Sequence, residues 1–102
     1  MLASLISVRV NQPKGFEPLT VKAQVTVEPA EANRELCVYR LNQDTEEDSL
    51  SCRTLEGSKE PKTFWYEWKK LRAGNYIVVV EVYRGALEPI NARTTFEVLG
   101  VD

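Results

Sequence analysis

Cys37 and Cys52 are the only thiol-bearing residues of this 102-residue chain, which contains no histidine. Two cysteines can bridge, bind a metal or exchange electrons with other thiols. A protein metal site needs more ligands than two thiolates, and imidazole is absent. The spacing is not Cys-x-x-Cys, so the redox motif of that name is missing too. Lack of histidine also removes Ser-His and Cys-His nucleophilic arrangements and the usual zinc and iron sites. No catalytic residue, metal ligand set or cofactor is assigned from the sequence, and the chain reads as a non-enzyme. The densest acidic run is Asp44, Glu46, Glu47 and Asp48. Calcium takes oxygen ligands, but the EF-hand spacing and its glycine are missing. The run reads instead as a solvated hairpin tip. No glycine-rich phosphate cradle occurs.

The second group able to act chemically is aromatic. The stretch TFWYEWKKLRAGNY, residues 63–76, holds five rings. They are either a ligand platform or part of a core. If 63–70 is a strand, Phe64, Tyr66 and Trp68 share one face, read as core. Trp65 is then left over, covered by a loop or exposed.

Composition bounds the elements that must position these groups. The chain fits a single domain over residues 1–102, and 43% hydrophobic with 27% charged residues is an ordinary globular balance. Thirteen basic against fifteen acidic residues give a net charge of −2. That leaves no electrostatic footprint for nucleic acid, and no apolar run reaches the roughly 18 residues a membrane helix needs. The start, Met1 to Val8, lacks a basic n-region and a signal-length apolar core. Met1 reads as a start added to a module that stops at Gly100-Val101-Asp102 and is excised from a longer protein.

Hydrophobic periodicity is two almost throughout. In 19–28, Val21, Ala23, Val25 and Val27 face one way, with Thr20, Lys22, Gln24, Thr26 and Glu28 opposite. In 92–99, Thr94, Phe96 and Val98 point inward. Further strands are expected at 5–10, 35–41, 49–55, 63–70 and 75–84. Turn signals separate them: 12–15, 29–33, 56–58, 73–75 and Arg84-Gly85. No stretch carries a sustained 3.6-residue stripe. The expected fold is all-β: a seven-stranded antiparallel β-sandwich.

Read as a hairpin, 35–41 and 49–55 bring Cys37 opposite Cys52 and Tyr39 opposite Leu50, with the reversal near Asp44-Thr45. Opposed residues of a non-hydrogen-bonded pair lie about 4.5 Å apart at Cα, within bridging range. A structural disulfide is expected, contributing about 3 kcal/mol by loop closure and favouring an oxidising compartment. The parity of 36–41 leaves two arrangements, with either Leu36 and Val38 or Cys37, Tyr39 and Leu41 inward. The first, with the bridge outward, is preferred. Tyr39, Ile77 and Val79 then form an outer patch, and with Trp65 they are the candidate interaction face.

The segment Leu71-Arg72-Ala73-Gly74-Asn75-Tyr76 resembles the E–F corner of immunoglobulin-like and fibronectin type III-like domains. There the tyrosine ring packs inward and its hydroxyl reaches a backbone group upstream. Leu71, Gly74 and Tyr76 would fill that motif. No cysteine follows Tyr76 by two residues, and the Cys…Trp…Cys spacing of antibody domains is absent, so the resemblance is to the broad bacterial or extracellular immunoglobulin-like group. Arg84-Gly85-Ala86 falls where some fibronectin-like domains carry Arg-Gly-Asp, with Ala86 replacing the carboxylate. The resemblance implies a non-catalytic spacer or adhesion module, extracellular, surface-bound or periplasmic, whose partner is another protein domain or a glycan. The alternative is a carbohydrate-binding module stacking sugars on Trp65 with Tyr66 or Tyr39.

Overall fold

The computed structural model describes residues 5–101; the readings of Met1 and of Asp102 lie outside them. Eight strands and one 3₁₀ turn follow in order: β1 (Ile6–Val10), β2 (Lys14–Phe16), β3 (Leu19–Val27), β4 (Glu35–Asn42), β5 (Asp48–Thr54), the turn Gly57–Lys59, β6 (Thr63–Leu71), β7 (Gly74–Arg84) and β8 (Leu87–Leu99). They form two sheets, β1-β3-β6 and β2-β8-β7-β4-β5.

The sequence-based expectation of seven antiparallel strands is corrected here. The extra strand, β2, pairs parallel with β8 through Lys14–Glu97, Gly15–Val98 and Phe16–Leu99. Its three residues lie partly inside the turn signal at 12–15, where Pro13 and Gly15 mask any alternation. Only a distant strand gives them partners, and local pattern does not register that.

Alternating β-branched residues build the core. Val21, Val25, Val27 and Phe64 from the three-stranded sheet meet Leu36, Val38, Val78, Val80 and Val82 from the five-stranded sheet, all buried. Each such side chain stabilises the fold by about 1.5–3 kcal/mol through removal of apolar surface from water. Phe64, Tyr66 and Trp68 do share the inner face: Phe64 is buried, and Tyr66 and Trp68 pack against the core. Tyr76 and Phe96 stand opposite each other on β7 and β8, with rings stacked at 4.7 Å between centroids.

Strand β4 settles the parity question. Leu36, Val38, Arg40 and Asn42 point inward and are buried, so Cys37, Tyr39 and Leu41 lie on the outer face. The register Cys37–Cys52 and Tyr39–Leu50 is the one read from the sequence. Strand β5 is an edge strand with no buried residue.

Candidate functional site

Cys37 and Cys52 form a disulfide, with Cα atoms 4.1 Å apart. Cys37 is half-buried and Cys52 exposed. Their surroundings follow from register. Across β4, Cys37 faces Glu81 of β7, and Glu35 stands two residues before Cys37 on the same face. A carboxylate oxygen of Glu35 and both sulfurs lie within 4.8 Å of one another. The bridge lines a shallow depression of about 460 Å³ shared with Glu35 and Glu81 and with Tyr39, Leu50, Val79 and Tyr83.

The electrostatics of this depression are anionic. Glu35 lies against the sulfurs, and Glu81 stands across from Cys37 on β7. The same carboxylates favour a cation at the sulfurs. Next to them, the Tyr39 hydroxyl donates to Asp48 Oδ2 at 3.2 Å. Desolvation, then the Asp48 charge, raise its pKa above the ordinary phenol value.

The candidate interaction face divides between the two sides of the molecule. Tyr39 and Val79 are direct neighbours on β4 and β7 beside the bridge, and Ile77 is next along β7, opposite Leu41. Trp65 belongs to β6 in the other sheet, opposite Gln24, and is 67% exposed. The four residues therefore form no single surface: Trp65 points out from the opposite layer of the sandwich.

At the β6–β7 corner the Tyr76 ring is buried, and its hydroxyl donates to the carbonyl oxygen of Arg72 at 2.7 Å. Leu71 is buried beneath the corner. Gly74 lies against the Asn42 side chain, so close that an added Cβ would fall 2.3 Å from Asn42 Oδ1. Asn42 itself was not singled out from the sequence. It is buried, its Nδ2 donates to the Ala73 carbonyl at 3.1 Å, and its Oδ1 accepts from the Asp44 amide at 3.0 Å. One side chain thus ties the β4–β5 turn to the corner. The signal was available: residue 42 continues the inward parity of 36, 38 and 40.

No protein-family model and no curated protein sequence matches the chain. Its fold does match solved structures. The superoxide reductase (neelaredoxin) of Ignicoccus hospitalis aligns at TM-score 0.68 and 15% identity over 91% of this chain and 80% of that one; two variants of that protein reach 0.71. The soluble domain of PmoD from a Methylocystis species aligns at 0.66 and 18% identity, over 97% and 95% of the two chains. The CARDB domain of a Pyrococcus furiosus protein, solved with di-metal ions, aligns at 0.55 and 15% identity over 95% and 92%. At such identities the likeness is one of fold.

That likeness overturns the expectation of a non-catalytic spacer or adhesion module, along with its carbohydrate-binding alternative. Over nine-tenths of its length the chain shares its architecture with a superoxide reductase. The E–F corner and the strand count are local and architectural features, and such a sandwich does not by itself fix a function.

Whether a metal of the kind such folds imply would fit here is decided by donor chemistry. The chain has no imidazole. Among the described residues, the one group of cysteine and carboxylate side chains close enough to share an ion is Glu35, Cys37 and Cys52. Its sulfurs are joined in the bridge, so it fits a cation only after reduction, and its thiolate-rich set then suits copper(I) or zinc.

Proposed function

We propose that the protein is a thiol-based redox protein whose centre is the Cys37–Cys52 bridge, with a reduced form that takes up a soft or borderline cation. The observation that carries this reading is the placement of the bridge. It lies on the outer face of an edge hairpin beside Glu35, outside the apolar core. Exposed bridges are the labile ones, since exchange requires in-line access of a thiolate to a sulfur.

The exchange balances with an external dithiol as reductant. A thiolate of the dithiol attacks Cys52 Sγ, the exposed sulfur, and the S–S bond breaks to release Cys37 as thiolate, which takes up a proton. The reductant's second thiolate then resolves the mixed disulfide, and Cys52 leaves and is protonated. Two electrons and two protons pass to this protein, and the reductant becomes a disulfide. A cation taken up by the reduced form displaces the two thiol protons. Tyr39, Leu50 and Val79 supply an apolar rim on which a reductant can rest. The corner built on Tyr76 supports an immunoglobulin-like reading of the sandwich, and an oxidising compartment suits the bridged form.

Equilibration with a graded dithiol/disulfide couple, read by alkylation and mass, tests the proposal. The expected result is reversible two-electron reduction while near-ultraviolet circular dichroism retains the folded signal, followed by stoichiometric binding of zinc or copper(I) to the reduced form alone. Glu35→Gln should weaken that binding. A bridge that reduces only as the fold unfolds would be purely structural, and the proposal would fall.

A further inference from the structure

The structure assigns a second site, for a small oxyanion, to the cleft between the β4–β5 turn and the β6–β7 corner. Its floor is Arg40. The side chain occupies an inward position on β4 and is only 5% exposed. Its Nη1 and Nη2 donate to Glu47 Oε1 and Oε2 at 2.9 and 2.8 Å. The guanidinium carbon lies 5.8 Å from the Trp68 ring centroid and 5.5 Å from that of Tyr76. Arg40 Nε is buried and, among the described residues, has no hydrogen-bond partner. A buried charged donor left unsatisfied is costly, and an acceptor oxygen is what it lacks.

The cleft above it, about 370 Å³, is lined also by Lys69, Lys70 and Arg72. Four cations therefore line the cleft with one carboxylate, Glu47, in a protein whose overall charge is negative, and Glu17 feels the Arg72 charge from outside it. Lys69 meets Glu67 only at 3.7 Å in an exposed pair. Lys70 and Arg72 make no salt bridge among the described residues.

The backbone gathers these charges. Leu19 pairs with Leu71 and Val21 with Trp68, so the single residue Thr20 faces both Lys69 and Lys70. This is a β-bulge, which bends its strand and re-aims the side chains it carries. Lys70 takes a left-handed conformation there, at φ 56°, one that a side chain adopts only at steric cost. The bulge sets two lysines beside the corner that delivers Arg72.

A planar or tetrahedral oxyanion matches this arrangement: its oxygens would meet Lys70 and Arg72 at the mouth, with one turned toward the Arg40 guanidinium at the floor. Phosphoryl and carboxylate groups share that chemistry. Glu47 competes for the same guanidinium, so a ligand must work against it, and weakening Glu47 should favour the ligand.

Titration with inorganic phosphate, then with malonate, while following the Arg40 side-chain Nε–H and the amides of 69–72 by NMR, tests the assignment. Saturable shifts at those groups are expected, with phosphate or malonate tighter according to whether the physiological group is phosphoryl or carboxylate. Chloride at equal ionic strength should not reproduce them. Lys70→Gly, whose backbone suits the left-handed position, and Arg72→Ala should together weaken binding at least about tenfold. Glu47→Gln should tighten it and should gain more thermal stability from phosphate than the unmodified protein. A variant lacking both cysteines should bind equally, which separates this site from the redox centre. Shifts that only track ionic strength, or an affinity unchanged by Lys70→Gly with Arg72→Ala, would overturn the assignment.

Discussion

Cys52 stands exposed on the edge strand β5, while Cys37, directly across from it on β4, is half-buried. This asymmetry decides which sulfur an external thiolate attacks. A small thiol reagent should give a mixed disulfide at Cys52 before any at Cys37, which peptide mapping after acid quench can read.

The bridge braces a hairpin whose edge strand contributes no buried residue to the core. Cys37→Ser with Cys52→Ser should therefore leave the fold intact. The loop-closure model sets the loss of unfolding free energy at about 3 kcal/mol. Urea denaturation should show that loss as a lower midpoint, with a larger slope from a more expanded unfolded chain.

At the corner, the hydroxyl of Tyr76 donates to the Arg72 carbonyl. Tyr76→Phe keeps the ring, its stacking on Phe96 and its packing. The expected cost is about 1 kcal/mol for one lost hydrogen bond, measured by the same denaturation.

Gly74→Ala should cost more, about 1–3 kcal/mol, as an overpacking substitution. Its Cβ would collide with Asn42, and Asn42 cannot withdraw without releasing Ala73 and Asp44. Gly85→Ala is the contrast, because nothing lies within 4 Å of a Cβ there. It carries only the backbone penalty of its left-handed φ.

Much of this was legible beforehand, for a physical reason. Period-two patterning, which placed Val21, Val25 and Val27 on one face, reports burial directly, because each strand has one wet and one dry side. A short hairpin also fixes its own register, which put Cys37 opposite Cys52. The Arg40 cleft was illegible because it draws on three separated segments. Its central residue is a charge at an apolar-parity position, and that becomes tolerable only once Glu47, Trp68 and Tyr76 arrive from elsewhere. The bulge at Lys69–Lys70 left no mark either, since a bulge exists only relative to the strand opposite.

Stability should fall at both ends of the pH scale, for opposite reasons. Hydrogen bonds from the Ala73 and Val101 amides hold the Glu17 carboxyl below its ordinary value, helped by the Arg72 charge. The bidentate bond from Arg40, aided by its charge, does the same for Glu47. A carboxyl depressed in the folded state contributes stability above its unfolded value, about 4.3. That contribution is lost as pH falls through the lower folded value. Tyr39 and Tyr66 are raised, chiefly by desolvation. Their contribution is full below the unfolded phenol value, about 10, and is lost as pH rises through the folded one. Melting temperature against pH should therefore give a plateau with an acid and an alkaline limb. Glu17→Gln with Glu47→Gln should flatten the acid limb without moving the alkaline one, and Tyr39→Phe should do the reverse. An acid limb unchanged in the double carboxamide variant would assign acid sensitivity to other carboxylates.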